Sequence, residues 1–335
     1  MLYRRTPAIA GHESIAELRT VNINGTKQVL LLRGESRRNP ILLFLHGGPG
    51  SAQISFARQW LKELEKDFVV VNWDQRGAGL SYSSKIPKES MTIEQFIEDT
   101  RAVAELLLKQ FRQEKLFLVG HSWGSVLGTL TAARYPHLFH AYVGVGQVAS
   151  MADNEAVSYR FTLETAKQRG VAKAVKDLER MGPPPYRSIR DLGLQRKWLR
   201  QFGGAMRQGT MAGLIWHTLL HSTEYTLTDF VKMQVGTMFT LNRMWDELMT
   251  VDLPVQVPRL EMPVYYILGR YDQNCPCELA AAYLERLSAP YKELIWFEQS
   301  AHMLVGEEPD RFAAAMRKVL QDQRSRGQVT RTAQA

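Results

Sequence analysis

Four short runs, Ile41–Leu45, Phe68–Val71, Leu116–Val119 and Ala141–Val148, are nearly continuous in apolar residues, and stretches of helical spacing separate them. A strand with one wet face alternates apolar and polar side chains. A strand buried on both faces reads as an unbroken apolar run, which suits a parallel sheet covered by helices. Between the runs, Ile54, Ala57, Trp60, Leu61 and Leu64 recur at helical spacing. Phe96, Val103 and Leu107 do so behind a capping box at Thr92 and Gln95, and Val126, Leu127, Leu130 and Ala133 follow suit. Such alternation confines the chain to the α/β class.

The remaining segments complete an eight-stranded, mostly parallel sheet. Val21–Ile23 and Val29–Leu32 flank Asn24-Gly25, a hairpin signal, and strand character returns at Val264–Leu268 and Glu293–Phe297. Helical spacing resumes at Leu279–Leu287 and Pro309–Leu320. From about Ala149 to Pro258 there is no buried-strand run; the stretch is helical, interrupted at Gly182-Pro183-Pro184-Pro185 and Gly203-Gly204. The expected organisation is a core from residues 1–148 and 259–321, a helical cap inserted at 149–258, and a frayed tail at 322–335.

The formal charge of +8 comes from basic residues interleaved with acids almost everywhere. Even the densest stretch, Arg187 to Arg200, contains Asp191 and apolar residues, so a solvated helix face is expected rather than a nucleic-acid surface. No apolar run is long enough to span a bilayer, and Met1–Ala10 has no signal-peptide core. Cys275 and Cys277 flank Pro276, a spacing that suits neither a zinc knuckle nor a redox pair; a reduced, cytoplasmic chain is the default. No cofactor or metal is expected, since no phosphate loop, dinucleotide fingerprint or ligand cluster is present. The expected partner is a small molecule or short peptide, and oligomeric state is not legible.

The chemistry concentrates at Gly120-His121-Ser122-Trp123-Gly124, between a buried strand and an amphipathic helix. A G-x-S-x-G in that context puts the serine on a sharp turn, open to substrate, with a helix N-terminus behind it that favours developing negative charge. A serine at this position argues against the carboxylate-nucleophile chemistry of haloalkane dehalogenases and epoxide hydrolases. The hydroxyl needs a base. Of eight histidines, His302 follows the last strand, in the loop where the strand ends gather. The imidazolium needs a buried acid, and Asp272 ends the strand after the insert, with Asp153 as the fallback. His46-Gly47-Gly48-Pro49-Gly50 is suited to an oxyanion loop; Gly48, with Gly47 as alternative, and Trp123 are the expected donors. His121, adjacent to the nucleophile, is expected to point elsewhere.

These segments, together with Asp74-Gln75-Arg76-Gly77-Ala78-Gly79-Leu80-Ser81 and Gly269-Arg270-Tyr271-Asp272-Gln273-Asn274-Cys275-Pro276, resemble the proline iminopeptidase branch of the α/β hydrolases. The resemblance implies a Ser122, Asp272 and His302 triad, oxyanion donors at Gly48 and Trp123, and an aminopeptidase acting through an acyl-enzyme. It covers both sheet segments but not the cap. Two departures stand out. His121 occupies a position where those aminopeptidases usually have glycine, and their cap Trp-Glu pair is missing: Trp216 precedes His217, and Trp245 precedes Asp246. Glu224, Asp229, Asp246 and Glu247 are the candidate amine-binding acids, with Trp216 and Trp245 as candidate pocket walls or cap core. An esterase, lactonase or amidase acting on an uncharged small molecule is the rival reading, and a non-catalytic ligand-binding relative a third.

Overall fold

A computed structural model describes residues 4–327. The chain opens with β1 (Ile15–Ile23), β2 (Thr26–Gly34) and β3 (Ile41–Leu45), then α1 (Ile54–Leu61), a 3-10 turn and β4 (Val69–Asp74). Helix α2 (Ile93–Phe111) leads to β5 (Leu116–His121), α3 (Trp123–Arg134) and β6 (Phe139–Val145). The insert then runs through α4 (Met151–Gln168), α5 (Ala172–Met181), α6 (Ile189–Gln201), α7 (Met211–His221), α8 (Leu227–Leu248) and the short α9 (Leu253–Gln256). The chain returns through β7 (Val264–Gly269), α10 (Cys277–Arg286), β8 (Lys292–Phe297), α11 (Leu304–Glu307) and α12 (Pro309–Ser325).

The strands form one sheet in the order β1-β2-β4-β3-β5-β6-β7-β8. The β1–β2 and β2–β4 pairs are antiparallel and the others parallel. The expected eight-stranded, mostly parallel sheet is therefore present, and alternate side chains explain its two apolar faces. Leu42 and Phe44 point into a cluster with Phe117, Val143 and Ile267, closed by Phe312, Met316 and Val319 of α12. Leu43 and Leu45 point the other way, toward Phe96, Val103 and Leu107 of α2 and Val126 and Leu127 of α3. Complete burial of each such side chain is worth about 1.5–3 kcal/mol, which fixes the register from both sides.

Several boundaries differ from the sequence expectation. Strand β6 ends at Val145 rather than Val148, because Gly146 turns the chain with φ +51°. Asp272 does not end its strand; β7 stops at Gly269, and the acid lies three residues into the loop. Helix α12 continues through Ser325, since Val319, Leu320 and Gln323 are still buried, so residues 322–325 belong to the helix and not to a frayed tail. The rest of that expected tail, from residue 328, lies outside the described residues.

Candidate active site

Ser122 occupies the junction of β5 and α3 with φ 55° and ψ −120°, a region that side chains avoid, at a cost on the order of 1–3 kcal/mol. Neighbouring bonds hold it there. Its N–H donates to the Val145 carbonyl (3.0 Å), while Ser125 Oγ donates to the Ser122 carbonyl (2.6 Å) and accepts from the Val148 N–H (3.0 Å). The flanking glycines are required by space: a Cβ on Gly120 would stand 2.2 Å from the Gly124 oxygen, and one on Gly124 2.1 Å from the Leu45 oxygen.

His302 and Asp272 approach the same sheet edge from the loops after β8 and β7. Asp272 Oδ2 lies 2.8 Å from His302 Nδ1. An ionised carboxylate can only accept, so Nδ1 carries the proton of this bond and Nε2 keeps its lone pair. The other carboxylate oxygen accepts from the N–H groups of Asn274 (2.9 Å) and Cys275 (2.8 Å). Both side chains are buried. Among the hydrogen bonds of the described residues, none joins Ser122 Oγ to His302; the serine hydroxyl lies 3.9 Å from the Cys275 thiol. A nucleophile–base contact that is loose in the free protein and tightens on substrate is ordinary.

The structure adds positioning groups that the sequence reading missed. His121 does not point away: its Nε2 donates to the His302 carbonyl (2.9 Å) and its ring lies 4.7 Å from the His302 ring. Burial, followed by the neighbouring His302, lowers its pKa to about 3, so it is a neutral donor. Gly146 backs both side chains of the Asp272–His302 pair: a Cβ there would be 3.1 Å from His302 Nδ1 and 3.2 Å from Asp272 Oδ2. Its signal was hidden inside an apparent strand.

On the oxyanion side, Trp123 begins α3, so its N–H has no acceptor within the helix. Its indole N–H donates to Gln75 Oε1 (2.9 Å), and Gln75 Nε2 donates to the His46 carbonyl (3.1 Å). His46 closes this network. Nδ1 donates to the Gly47 carbonyl (2.8 Å), Nε2 accepts from the Gln75 N–H (3.2 Å), and burial holds the pKa at about 4. Gly48 sits in this loop with φ 120°, and a Cβ on Gly47 would be 3.1 Å from Ser122 Cβ, which brings the loop against Ser122.

Between α6 and α7 the insert is tied to the loops that carry Asp272 and His302. The Gly204 carbonyl accepts from the Gln273 N–H (2.8 Å), and the Ala205 carbonyl from the Met303 N–H (3.2 Å). Glu307 accepts from the N–H groups of Arg207 (2.7 Å) and Gln208 (2.9 Å).

The insert residues expected at the substrate are paired elsewhere, buried in the core or exposed. Glu224 pairs with Arg58 (3.0 Å) and accepts from the Thr223 N–H, which commits its carboxylate to local structure. Asp229 pairs with Arg4, and Glu247 accepts from the Ile93 N–H at the start of α2. Asp246 is exposed. Trp216 is 66% exposed, whereas Trp245 is buried in the large core cluster, so neither forms a pocket wall beside a free acid. A different acid was missed. Glu155, buried on α4, takes Arg196 of α6 on Oε1, while Oε2 is buried without a partner. Both charges act on the Cys275 thiol beside Ser122, whose pKa is raised mainly by burial. Tyr186, also raised by burial and then by Glu155, stands next to the pair. Nothing in the local sequence around Glu155 marks it.

Among the described residues no group of three or more His, Cys, Asp or Glu is placed to hold a metal ion, and no helix is long and apolar enough to cross a membrane. Residues 40–309 match the family model of the alpha/beta hydrolase fold. The chain belongs to the α/β-hydrolase family. Within that family it is proline iminopeptidase-like and a hydrolase. It is 38% identical over 303 residues to "Probable aminopeptidase YbaC" of Bacillus subtilis (strain 168), covering 90% of this chain and 95% of that one. A proline iminopeptidase of Heyndrickxia coagulans is 22% identical over 285 residues, covering 82% and 88%. The crystal structure of a proline iminopeptidase-related protein from Thermus thermophilus superposes with TM-score 0.66 at 20% identity, covering 92% of this chain and 98% of that chain, a likeness of fold.

Proposed function

We propose that the protein is a serine aminopeptidase acting on short peptides or amino-acid amides through an acyl-enzyme. The observation that carries this reading is the 2.8 Å Asp272–His302 bond on the sheet edge that also holds the strained Ser122. Ser122 Oγ attacks the scissile carbonyl as its proton passes to His302 Nε2, and Asp272 steadies the imidazolium. The oxyanion takes the N–H groups of Gly48 and Trp123; one such donor is worth about 3 kcal/mol. His302 returns the proton to the leaving amine, and water then releases the acyl group by the same steps. Residues 149–258 act as the cap, and two free, buried cysteines accord with a reducing, cytoplasmic setting.

The peptidase reading draws on the aminopeptidase name of the 38%-identical relative. Within it, Glu155 is the carboxylate we assign to the substrate's free amino group, because Oε2 is buried, lacks a partner and belongs to a charge pair that reaches Cys275. An amino-acid arylamide, its N-acetylated form and a simple acyl ester, assayed on wild-type and Glu155→Gln protein, test this. The free-amine substrate is expected to be turned over best, and Glu155→Gln to raise its KM about 10- to 100-fold, the loss of one charge-assisted bond. Equal or better turnover of the blocked substrates would leave an esterase or amidase of uncharged small molecules. A fluorophosphonate probe should label the wild type and not Ser122→Ala; an unlabelled wild type would indicate a non-catalytic binding protein.

A further inference from the structure

Helix α8 has two faces of opposite character. Gly236, Thr240 and Met244 are buried on one, where Thr237 Oγ1 donates to the Gly50 carbonyl (2.8 Å) and Thr240 Oγ1 to the Gly77 carbonyl (3.3 Å). That face docks on the core loops. The other carries Leu227 (65% exposed), Val231 (66%), Val235 (46%) and Met238 (48%), which fall within an arc of about 100° at 3.6 residues per turn. Because the helix presents its opposite side to the core, this stripe is not a wall of the catalytic site. Single exposed apolar residues need no explanation, but a contiguous stripe along a helix marks an interaction surface.

The stripe is self-complementary. Leu227 and Val231 project near the N-terminal end of the helix, and toward its other end Gln234, Val235, Met238, Phe239, Asn242 and Arg243 line a groove of about 510 Å³. An antiparallel copy of the same helix would set each projection over the other's groove. We propose that α8 is a homodimer surface, pairing with α8 of a second copy about a twofold axis near Gln234 and Val235. Leu227 then faces Asn242 of the second copy, and Val231 faces Met238. Reciprocal contacts of this kind are what a closed twofold interface requires. Rim chemistry favours a second copy over a lipid surface: Gln234 and Asn242 are uncharged, Lys232 donates to the Leu80 carbonyl, and Arg243 is the cation at the groove. The apolar area, on the order of 400 Å², reaches patch size for a monomer, and a rim of polar residues around it brings each side toward the roughly 800 Å² of a stable interface.

Sedimentation analysis at about 1–100 μM is expected to find a dimer, since weak interfaces dissociate in the micromolar range. Val231→Glu should be monomeric, with the melting temperature of wild-type protein diluted below its dissociation range, its side chain being exposed in the single chain. Oxidised Val235→Cys should give a covalent dimer, because the native Cys275 and Cys277 are buried and do not compete. Leu227→Cys alone should stay unlinked, while Leu227→Cys with Asn242→Cys should link. A monomeric wild type at the highest concentration, a dimer that survives Val231→Glu, or linkage by Leu227→Cys alone would overturn the proposal. So would a monomer that co-sediments with anionic vesicles and loses them in Val231→Glu, which would assign the stripe to a membrane.

Discussion

Along the sheet edge, the groups around Ser122 are held largely by backbone: Val145 and Val148 around the elbow, Asn274 and Cys275 at Asp272, and Gly47 at His46. In the helical insert, acids are instead held by arginines from distant segments. Glu155 takes Arg196 from 41 positions away, Glu224 takes Arg58 from 166, and Asp229 takes Arg4 from 225. The two regions divide the work of an enzyme. Backbone restraint fixes the groups around Ser122, where small displacements would be costly to the proposed reaction, and side-chain pairs tie the helices of the insert to distant segments.

The largest expected effect tests the backbone-held side. Asp272→Asn keeps the shape of the acid but forces its partner toward the wrong tautomer; kcat should fall about 10⁴-fold, with KM little changed. Next come the two cap tryptophans. Trp245→Ala should cost about 3 kcal/mol in denaturant unfolding, the value for emptying a packed aromatic site, whereas Trp216→Ala should stay within about 0.5 kcal/mol. A reversed order would show that the cap packs differently from this account.

Two glycines sharpen the contrast at smaller magnitude. Gly146 and Gly170 both have positive φ, but a Cβ on Gly146 meets His302 and Asp272 while one on Gly170 meets nothing within 4 Å. Gly146→Ala should lower kcat about 10- to 100-fold, and Gly170→Ala should cost about 1 kcal/mol of stability with kcat unchanged. A further contrast is a pH dependence. Burial raises the Asp74 carboxyl to about 7, despite the bonds it accepts from Tyr225 and Leu80. A raised folded pKa stabilises the protein fully below the unfolded value near 4, and the contribution is lost as pH climbs through 7. Asp74→Asn should flatten the fall in urea midpoint between about pH 4 and 7. His46 and His121 act on the acid side. With folded values lowered to about 4 and about 3, their contribution is present above about pH 6.5 and is lost as pH falls, so that limb should survive in Asp74→Asn.

What was legible in the sequence follows the same division. The sheet announces itself through apolar runs because both its faces are buried, and Ser122, Asp272 and His302 are picked out by strand ends and chain order. Gly146 escaped because it reads as one more residue of an apolar run, and its role depends on a turn that only the approach of His302 explains. His121 escaped because adjacency to a nucleophile says nothing about which way a side chain turns. Glu155 was invisible for a stronger reason: its partner lies on another helix, and its significance is an oxygen left without a donor.

On the proposed function, the strap at Gly204 and Ala205 constrains how substrate would enter. A lid that swung open there would pull at once on Gln273, beside the acid, and on Met303, beside the base. Under that function, entry would pass by another flank of the insert, and the anchored side would serve as a fixed fulcrum that leaves Asp272 and His302 seated.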